Sequence, residues 1–475
     1  MKDRRLTLLP LLVLVLLGAP GATAQEIEEP CVEIPTVNDR CPQWSGTYGA
    51  APGVRDVPMD VVVSPDGNTV VTLGTANKEA TYIDWTVVAN TAASGERKWV
   101  VSEAGPETAW DTPSGMAITP DSSRVLVTGS TCESGAALST CDMIVRALEL
   151  LSGATAWEIR LDAGDQDTAG DIALSPDGAV AYLAGLQTAG STGADASLTA
   201  IDAADGDVLW TSTYDGSRGF DAAHRLAVTQ NGQRIYITGP SDSPTSGRDY
   251  ATVAFDAEDG QRLWVAREDD HGGSDTPTGI AVGHGRVAVT GTTDGPGTPG
   301  GADYATFGYD AQTGNRIWDG RTNGQFHDLP LDLSMGPDGS VYVTGMSRAA
   351  SGGYDMLTVA YNPGGGSRWS KRFNGLGNNG DAAWSVEASP DGQKVYIAGD
   401  TVLPGGIDLA HAVFAYDADD GAVLWQTLHR GSGSDGVSEP QGLDVSPDGT
   451  RVYYTGKFLS QPEEMDFLTL AYDAT

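Results

Sequence analysis

An all-β fold, an eight-bladed β-propeller of four-stranded antiparallel blades, follows from three features of the 475-residue sequence. A turn signal recurs eight times, starting at Ser64, Thr119, Ser175, Thr229, Gly283, Gly336, Ser389 and Ser446, in steps of 55, 56, 54, 54, 53, 53 and 57 residues. One tryptophan recurs in each unit: Trp44, Trp99, Trp157, Trp210, Trp264, Trp318, Trp369 and Trp425. The last unit stops at LTLAYDAT, where the others enter a fourth strand, and a matching segment stands near the N-terminus. Repeats of this length, each unable to bury its apolar face alone, close into a ring or stack into a solenoid.

Each unit reads as four strands. In the fourth, RLAVT alternates, QNGQ turns, RIYITG continues, and the polar loop SDSPTSGRD leads into YATVAFDA, the turn EDG and QRLWVA. Alternating β-branched and aromatic residues between Gly- and Asp-rich turns are strand and hairpin signals. The ring is preferred to a solenoid because of the chain ends. The segment around Trp44 (CPQWSGTY) is similar to the fourth strands around Trp369 and Trp425. An N-terminal strand that completes the last blade removes both exposed sheet edges. The expected organisation is a signal peptide over 1–24, an extension over 25–40 and one propeller over 41–475. Its closing strand is 41–48, and its blades are about 56–101, 111–160, 167–213, 221–267, 275–321, 328–372, 381–428 and 439–475.

Lys2, Arg4 and Arg5 precede the apolar run LTLLPLLVLVLLGAP, and Ala22-Thr23-Ala24 forms a small-residue cleavage site, which predicts an exported protein with no membrane span in the mature chain. Four cysteines in an exported chain are expected to pair. The simplest of three connectivities is local, Cys31–Cys41 and Cys132–Cys141. With 28 Lys+Arg against 64 Asp+Glu, the net charge of −36 repels phosphate backbones and anionic lipid heads. Nucleic acid is therefore excluded as a partner, and a monomer is expected.

The repeated tryptophans end a pattern Ala-x-Asp-x-x-Thr/Asp-Gly-x-x-x-Trp, as in AIDAADGDVLW (Ala200–Trp210), AFDAEDGQRLW (Ala254–Trp264) and AYDADDGAVLW (Ala415–Trp425). This resembles the tryptophan-docking motif of the pyrroloquinoline-quinone dehydrogenase propellers, and the chain is also similar to the short propeller repeats of exported bacterial proteins. The resemblance implies a structural role for the eight tryptophans, each ring wedged between adjacent blades. It does not bring the cofactor. Those enzymes hold the quinone over a vicinal disulfide beside a carboxylate-bound calcium, and no two cysteines here are adjacent.

Two sets of carboxylates keep the register of the repeat. One begins each third strand: Asp84, Asp142, Asp195, Asp249, Asp303, Asp355, Asp408 and Asp466. These are expected to cap the preceding loop by accepting backbone N–H groups. The other precedes each first turn by eight residues: Asp56, Asp111, Asp167, Asp221, Asp275, Asp328 and Asp381, with Glu439 beside the corresponding Ser438. This second set is expected near the channel mouth, on the longer-loop face, as structural acceptors or as a site for a cation or other ligand. No cofactor is required by the sequence; calcium is the one considered.

Catalytic signatures are scarce. His224, His271, His284, His327, His411 and His429 are out of register, with His271, His327 and His429 placed in loops leading to first strands. No GxSxG elbow, HExxH pair or phosphate loop is present. Trp85, Trp110 and Trp384 stand outside the docking register; burial between blades is the expectation, with an aromatic surface near the channel as the alternative for Trp110 and Trp384. The expected function is non-catalytic binding or scaffolding through the acidic loop face and channel mouth, toward an unidentified protein or a cationic ligand. The alternative is a quinoprotein-like oxidoreductase or a metal-dependent hydrolase using the channel carboxylates.

Overall fold

The computed structural model describes residues 40–475, apart from 51–54, 78–82, 104–108, 134–140, 165, 189–192, 217–218, 270–272, 295–301, 323–326, 350–352, 376, 378–379, 404–408, 431–439 and 462–463. The signal segment and the extension lie outside the described residues.

Alternating apolar residues and tight turns produce eight four-stranded antiparallel sheets. Seven of them take their strands in chain order. Blade 1 begins with Val57–Val63 and ends with Arg97–Glu103; blade 7 begins with Asp381–Ala388 and ends with Val423–Arg430. Blade 8 combines Pro440–Val445, Arg451–Gln461 and Glu464–Asp473 with the N-terminal strand Trp44–Tyr48. That strand runs antiparallel to Glu464–Asp473, with Trp44 opposite Ala471 and Tyr48 opposite Phe467. The first strands of neighbouring blades touch around the whole ring, including Val57–Val63 against Pro440–Val445.

The turn signal joins first and second strands. In blade 1, Gly67 N–H donates to Ser64 O (2.7 Å) and Ser64 Oγ accepts from Thr69 N–H (3.0 Å). Glycine at the fourth position takes positive φ, +71° at Gly67, which L side chains rarely adopt.

The docking motif explains the seams between blades. Trp157 lays its ring on Gly206 of the next blade and donates Nε1–H to Ala203 O (3.0 Å). Trp44, Trp99, Trp264 and Trp369 donate in the same way to Ala92, Leu150, Ala311 and Ala418. The motif aspartate shapes the receiving turn: Asp202 accepts from Ala204 N–H (2.8 Å), and Gly206 N–H closes on Asp202 O (2.9 Å). Trp425 departs from this pattern. Its Nε1–H is buried with no hydrogen-bond partner among the described residues, Ala474 O accepts instead from Lys394 Nζ (2.6 Å) and Tyr396 (3.2 Å), and Arg40 lies over the Trp425 ring.

Cys132 and Cys141 are bonded and stand opposite each other on adjacent strands of blade 2. Cys41 is also disulfide-bonded, and its expected partner Cys31 lies outside the described residues. No helix among the described residues is long and apolar enough to cross a membrane.

Candidate functional site

The two registered carboxylate sets meet across the blade seams. Asp56, Asp167, Asp221 and Asp275 each donate their backbone N–H to the residue just before a third-strand aspartate of the preceding blade: Met465, Cys141, Ala194 and Arg248. Three seams thereby gather an acidic triad: Asp142, Asp162 and Asp167; Asp195, Asp215 and Asp221; Asp249, Asp269 and Asp275. Within each, a set of carboxylate oxygens lies within 4.8 Å of one another.

Local chemistry divides the roles. The second set fastens the loop that crosses between blades. Asp56 accepts from Ala50 N–H (2.7 Å), Asp167 from Ala163 (2.5 Å) and Thr188 (3.2 Å), and Asp221 from Gly216 N–H (2.9 Å) and Ser241 Oγ. Asp381 accepts from Gly375 N–H (2.6 Å) and Thr401 Oγ1 (2.6 Å), and Asp328 from Ser347 Oγ. All seven described members, Asp111 and Asp275 included, are buried. None is among the residues that line the axial cavity, and Glu439 lies outside the described residues.

Loop N–H groups were expected as partners of the third-strand set, yet in three blades the partner is an arginine of the fourth strand. Arg160 bonds Asp142, Arg267 bonds Asp249 (2.9 Å) and Arg372 bonds Asp355 (3.0 Å). In blade 3 the corresponding position is Thr213. There Asp195 Oδ1 is buried with no hydrogen-bond partner, and burial together with Asp215 and Asp221 pushes its carboxyl up. Asp84 and Asp303 are buried, Asp466 is half-buried, and Asp408 lies outside the described residues.

The channel is lined by a different ring. Seven of the eight first strands carry a β-bulge, between Pro58 and Asp60, Ala169 and Asp171, and Pro330 and Asp332, for example. The extra residue turns the following side chain toward the axis. This places Asp60, Asp171, Asp332 and Ser385, joined by Arg225 from the unbulged first strand of blade 4, on a cavity of about 640 Å³ to which all eight blades contribute. Asp60, Asp171, Arg225 and Asp332 lie four residues beyond the registered Asp56, Asp167, Asp221 and Asp328.

Glu387 and Asp444 stand two residues further along their strands. These carboxylates are half-buried, set among protein atoms that replace much of their water. Burial is the main cause of their raised values. Glu387 rises to about 8, with Asp444 and Asp332 adding repulsion; Asp60 rises to about 7, with Asp444 and Asp171 adding to it. Asp444 rises to about 6, and Asp171 and Asp332 are also raised. Asp171 and Asp332 bridge blades, accepting from Leu226 N–H (3.0 Å) and Val386 N–H (2.9 Å); Asp444 bridges the closing seam to Val63 N–H (2.7 Å).

The remaining singled-out residues separate. Trp384 lines the channel and donates Nε1–H to Asp400. Trp85 is buried against blade 2, and the Trp110 side chain lies outside the description. His429 lies in the fourth strand of blade 7, not in a loop, and stacks on His411 at 6.4 Å. His327 accepts from Ala302 N–H (3.3 Å), and His271 lies outside the described residues. His224, which sequence reasoning left unassigned, lies at the channel beside Arg225.

Fold and seams define an eight-bladed propeller of tryptophan-docking repeats. The chain matches the family described as outer membrane protein assembly factor BamB, over residues 141–427 and 306–459, and it belongs to that family. No curated protein sequence matches it. Among solved structures it is similar to the Dos1 propeller, at 11% identity and TM-score 0.59, covering 90% of this chain and 95% of that one. Sqt1 of Chaetomium thermophilum, solved bound to the N-terminus of ribosomal protein L10, gives 14% identity and TM-score 0.58, covering 90% and 100%. Quinohemoprotein alcohol dehydrogenase from Comamonas testosteroni gives 14% and 0.55, covering 91% and 76%. At these identities the likeness establishes the fold alone.

The channel residues do not fit pyrroloquinoline quinone. That cofactor carries three carboxylates, and here it would face Asp60, Asp171 and Asp332, with Arg225 the one lysine or arginine among the described lining residues. Its vicinal disulfide is also lacking, since the bonded Cys132 and Cys141 are nine residues apart.

Proposed function

We propose that this protein is an exported, non-catalytic binding module that takes a cationic group at its channel and acidic loop face. Asp60, Asp171 and Asp332 on one axial cavity, with Glu387 and Asp444 near enough to add repulsion to them, carry this reading. Carboxylates crowded and buried in this way hold protons that an incoming cation displaces, so binding releases protons and tightens as pH rises. Membership of an assembly-factor family supports a protein as the bearer of that cation, through a lysine side chain or an N-terminal amine. The basic, apolar N-terminal run and the Cys132–Cys141 disulfide support export.

Titration calorimetry with hexalysine and with spermidine, repeated in buffers of different ionisation enthalpy, tests the reading. Uptake with proton release is expected, weakened by Asp60→Asn and Glu387→Gln. Absence of heat for both ligands rejects it. Calcium is the remaining hard-cation occupant, and a melting temperature that does not move on calcium titration removes it. The rival oxidoreductase or metal-dependent hydrolase rests on shared fold. For the oxidoreductase, dye reduction after reconstitution with pyrroloquinoline quinone and calcium would favour the rival reading.

A further inference from the structure

Six of the eight turns between first and second strands carry proline in second place: Pro65, Pro120, Pro176, Pro337, Pro390 and Pro447. Blades 4 and 5 depart, with Gln230 and His284 there. The prolines seal seams. A Cβ built on Gly178 would lie 2.6 Å from Pro120, one on Gly232 3.2 Å from Pro176, and one on Gly392 2.9 Å from Pro337. His284 fills the same place against Gly339, at 3.2 Å. Gly285 of blade 5, which would face the missing proline of blade 4, meets nothing within 4 Å. Gly67 at the closing seam is also clear, but its neighbouring turn retains Pro447. Between blades 4 and 5 the missing proline coincides with a cleft of about 740 Å³ on the turn face, away from the acidic loops.

We propose that this cleft binds a neutral saccharide. Gln230, Asn231, Gln233 and Gln312 line it, together with His284. A carboxamide offers coplanar donors and an acceptor, the complement of two adjacent sugar hydroxyls, each of which both donates and accepts. The side chains of Gln230, His284 and Gln312 are exposed and make no hydrogen bond within the described protein.

The charges in the wall cancel and are already engaged. Arg234 donates from Nη1 to Ala311 O (2.9 Å) and Gln312 O (3.0 Å), while Asp310 accepts from Thr313 N–H (2.8 Å) and Gln312 N–H (3.1 Å). Asp310 lies near enough to Arg234 to offset its charge for an incoming anion, and a cation is better served by the acidic face. The volume falls within the roughly 300–1,000 Å³ usual for small-ligand sites.

The test uses the full chain, saturation-transfer NMR and calorimetry. The probes are maltohexaose, cellohexaose and N-acetylchitohexaose, with glucose and N-acetylglucosamine separating a chain ligand from a free sugar. At least one neutral sugar is expected to bind, and Gln230→Pro and Gln312→Ala are each expected to weaken it about tenfold, or roughly 1.4 kcal/mol. Gln230→Pro restores the residue six sister turns use, so an unchanged or raised melting temperature shows that the fold survives. Glu387→Gln should leave sugar affinity untouched, which separates this site from the channel. The proposal is overturned if no probe binds, if binding survives both cleft variants, or if an Ala/Gln peptide displaces the sugar from the cleft.

Discussion

Asp195 and Asp221, on the third strand of blade 3 and at the entry to blade 4, bring carboxylate oxygens within 4.8 Å of each other, with Asp215 completing the group. Their backbones are tied at the same place, Asp221 N–H donating to Ala194 O at 2.7 Å. In blades 2 and 4 an arginine stands over the equivalent aspartate; in blade 3 Thr213 does not supply one.

Thr213→Arg should therefore supply the missing counter-charge. The register that sets Ala251 opposite Arg267 also sets Ser197 opposite Thr213, so a guanidinium there reaches Asp195 along the same path. Stability should rise by about 1 kcal/mol at pH 8, a melting shift of roughly 2 °C. The gain should vanish near pH 3, where the carboxylates are protonated. A gain that persists at pH 3 would assign the effect to packing instead.

Glu387 gives the channel its own pH signature. Its folded-state value of about 8 lies above the 4.5 of an ordinary glutamate, so the native state holds the extra proton. Stability is then fullest below pH 4.5, falls as pH climbs through that window, and stays reduced above 8. Glu387→Gln should match the parent protein near pH 4.5 and exceed it at pH 9, by on the order of 1–3 kcal/mol after discount for channel water. Denaturant midpoints at the two pH values decide it. Equal midpoints at pH 9 count against a strained channel.

Those channel residues mark the boundary of what the sequence discloses. The blades were legible because turn, tryptophan and docking glycine repeat in phase, and each has a local physical reason to do so. Asp60, Asp171 and Asp332 were not, because a bulge breaks the two-residue alternation just before them. The ring they belong to also changes chemistry around the circle, with Gly115, Arg225, Gly279 and Ser385 in sister positions. A ring that varies from blade to blade has no period to detect. The pairing of the two aspartate sets was hidden for another reason: it joins neighbouring blades, and only the closed ring brings them together.

His411 and His429 impose the opposite pH dependence. Burial first, and then His429, holds His411 down to about 3, while burial holds His429 at about 4. The His411 ring is fixed by Lys457 O (2.8 Å), which accepts from Nε2–H, and by the Tyr454 hydroxyl at Nδ1. Both values lie below the usual 6.5, so the native state binds fewer protons than the unfolded chain. The stability conferred by neutral imidazoles is complete above pH 6.5 and is lost as pH falls toward 4 and then 3. His411→Gln should flatten the acid limb of the stability profile between pH 6.5 and 4, even if it lowers the plateau. A limb with unaltered slope would show that other groups control acid unfolding.

Gly206 and Trp157 allow the wedge between blades to be measured rather than assumed. Gly206 has φ +86°, and a Cβ there would sit 2.7 Å from the Trp157 ring. Gly206→Ala therefore combines a backbone cost of about 1–2 kcal/mol with an overpacking cost of about 1–3 kcal/mol. Gly67 separates the two, since it has φ +71° but nothing within 4 Å of its added Cβ. Gly67→Ala should cost the backbone amount alone. In a double-mutant cycle with Trp157→Ala, the overpacking part of Gly206→Ala should disappear and the backbone part remain. If Gly206→Ala costs no more than Gly67→Ala, the ring is not pressed on the turn, and the docking motif holds the seam chiefly through the indole hydrogen bond to Ala203.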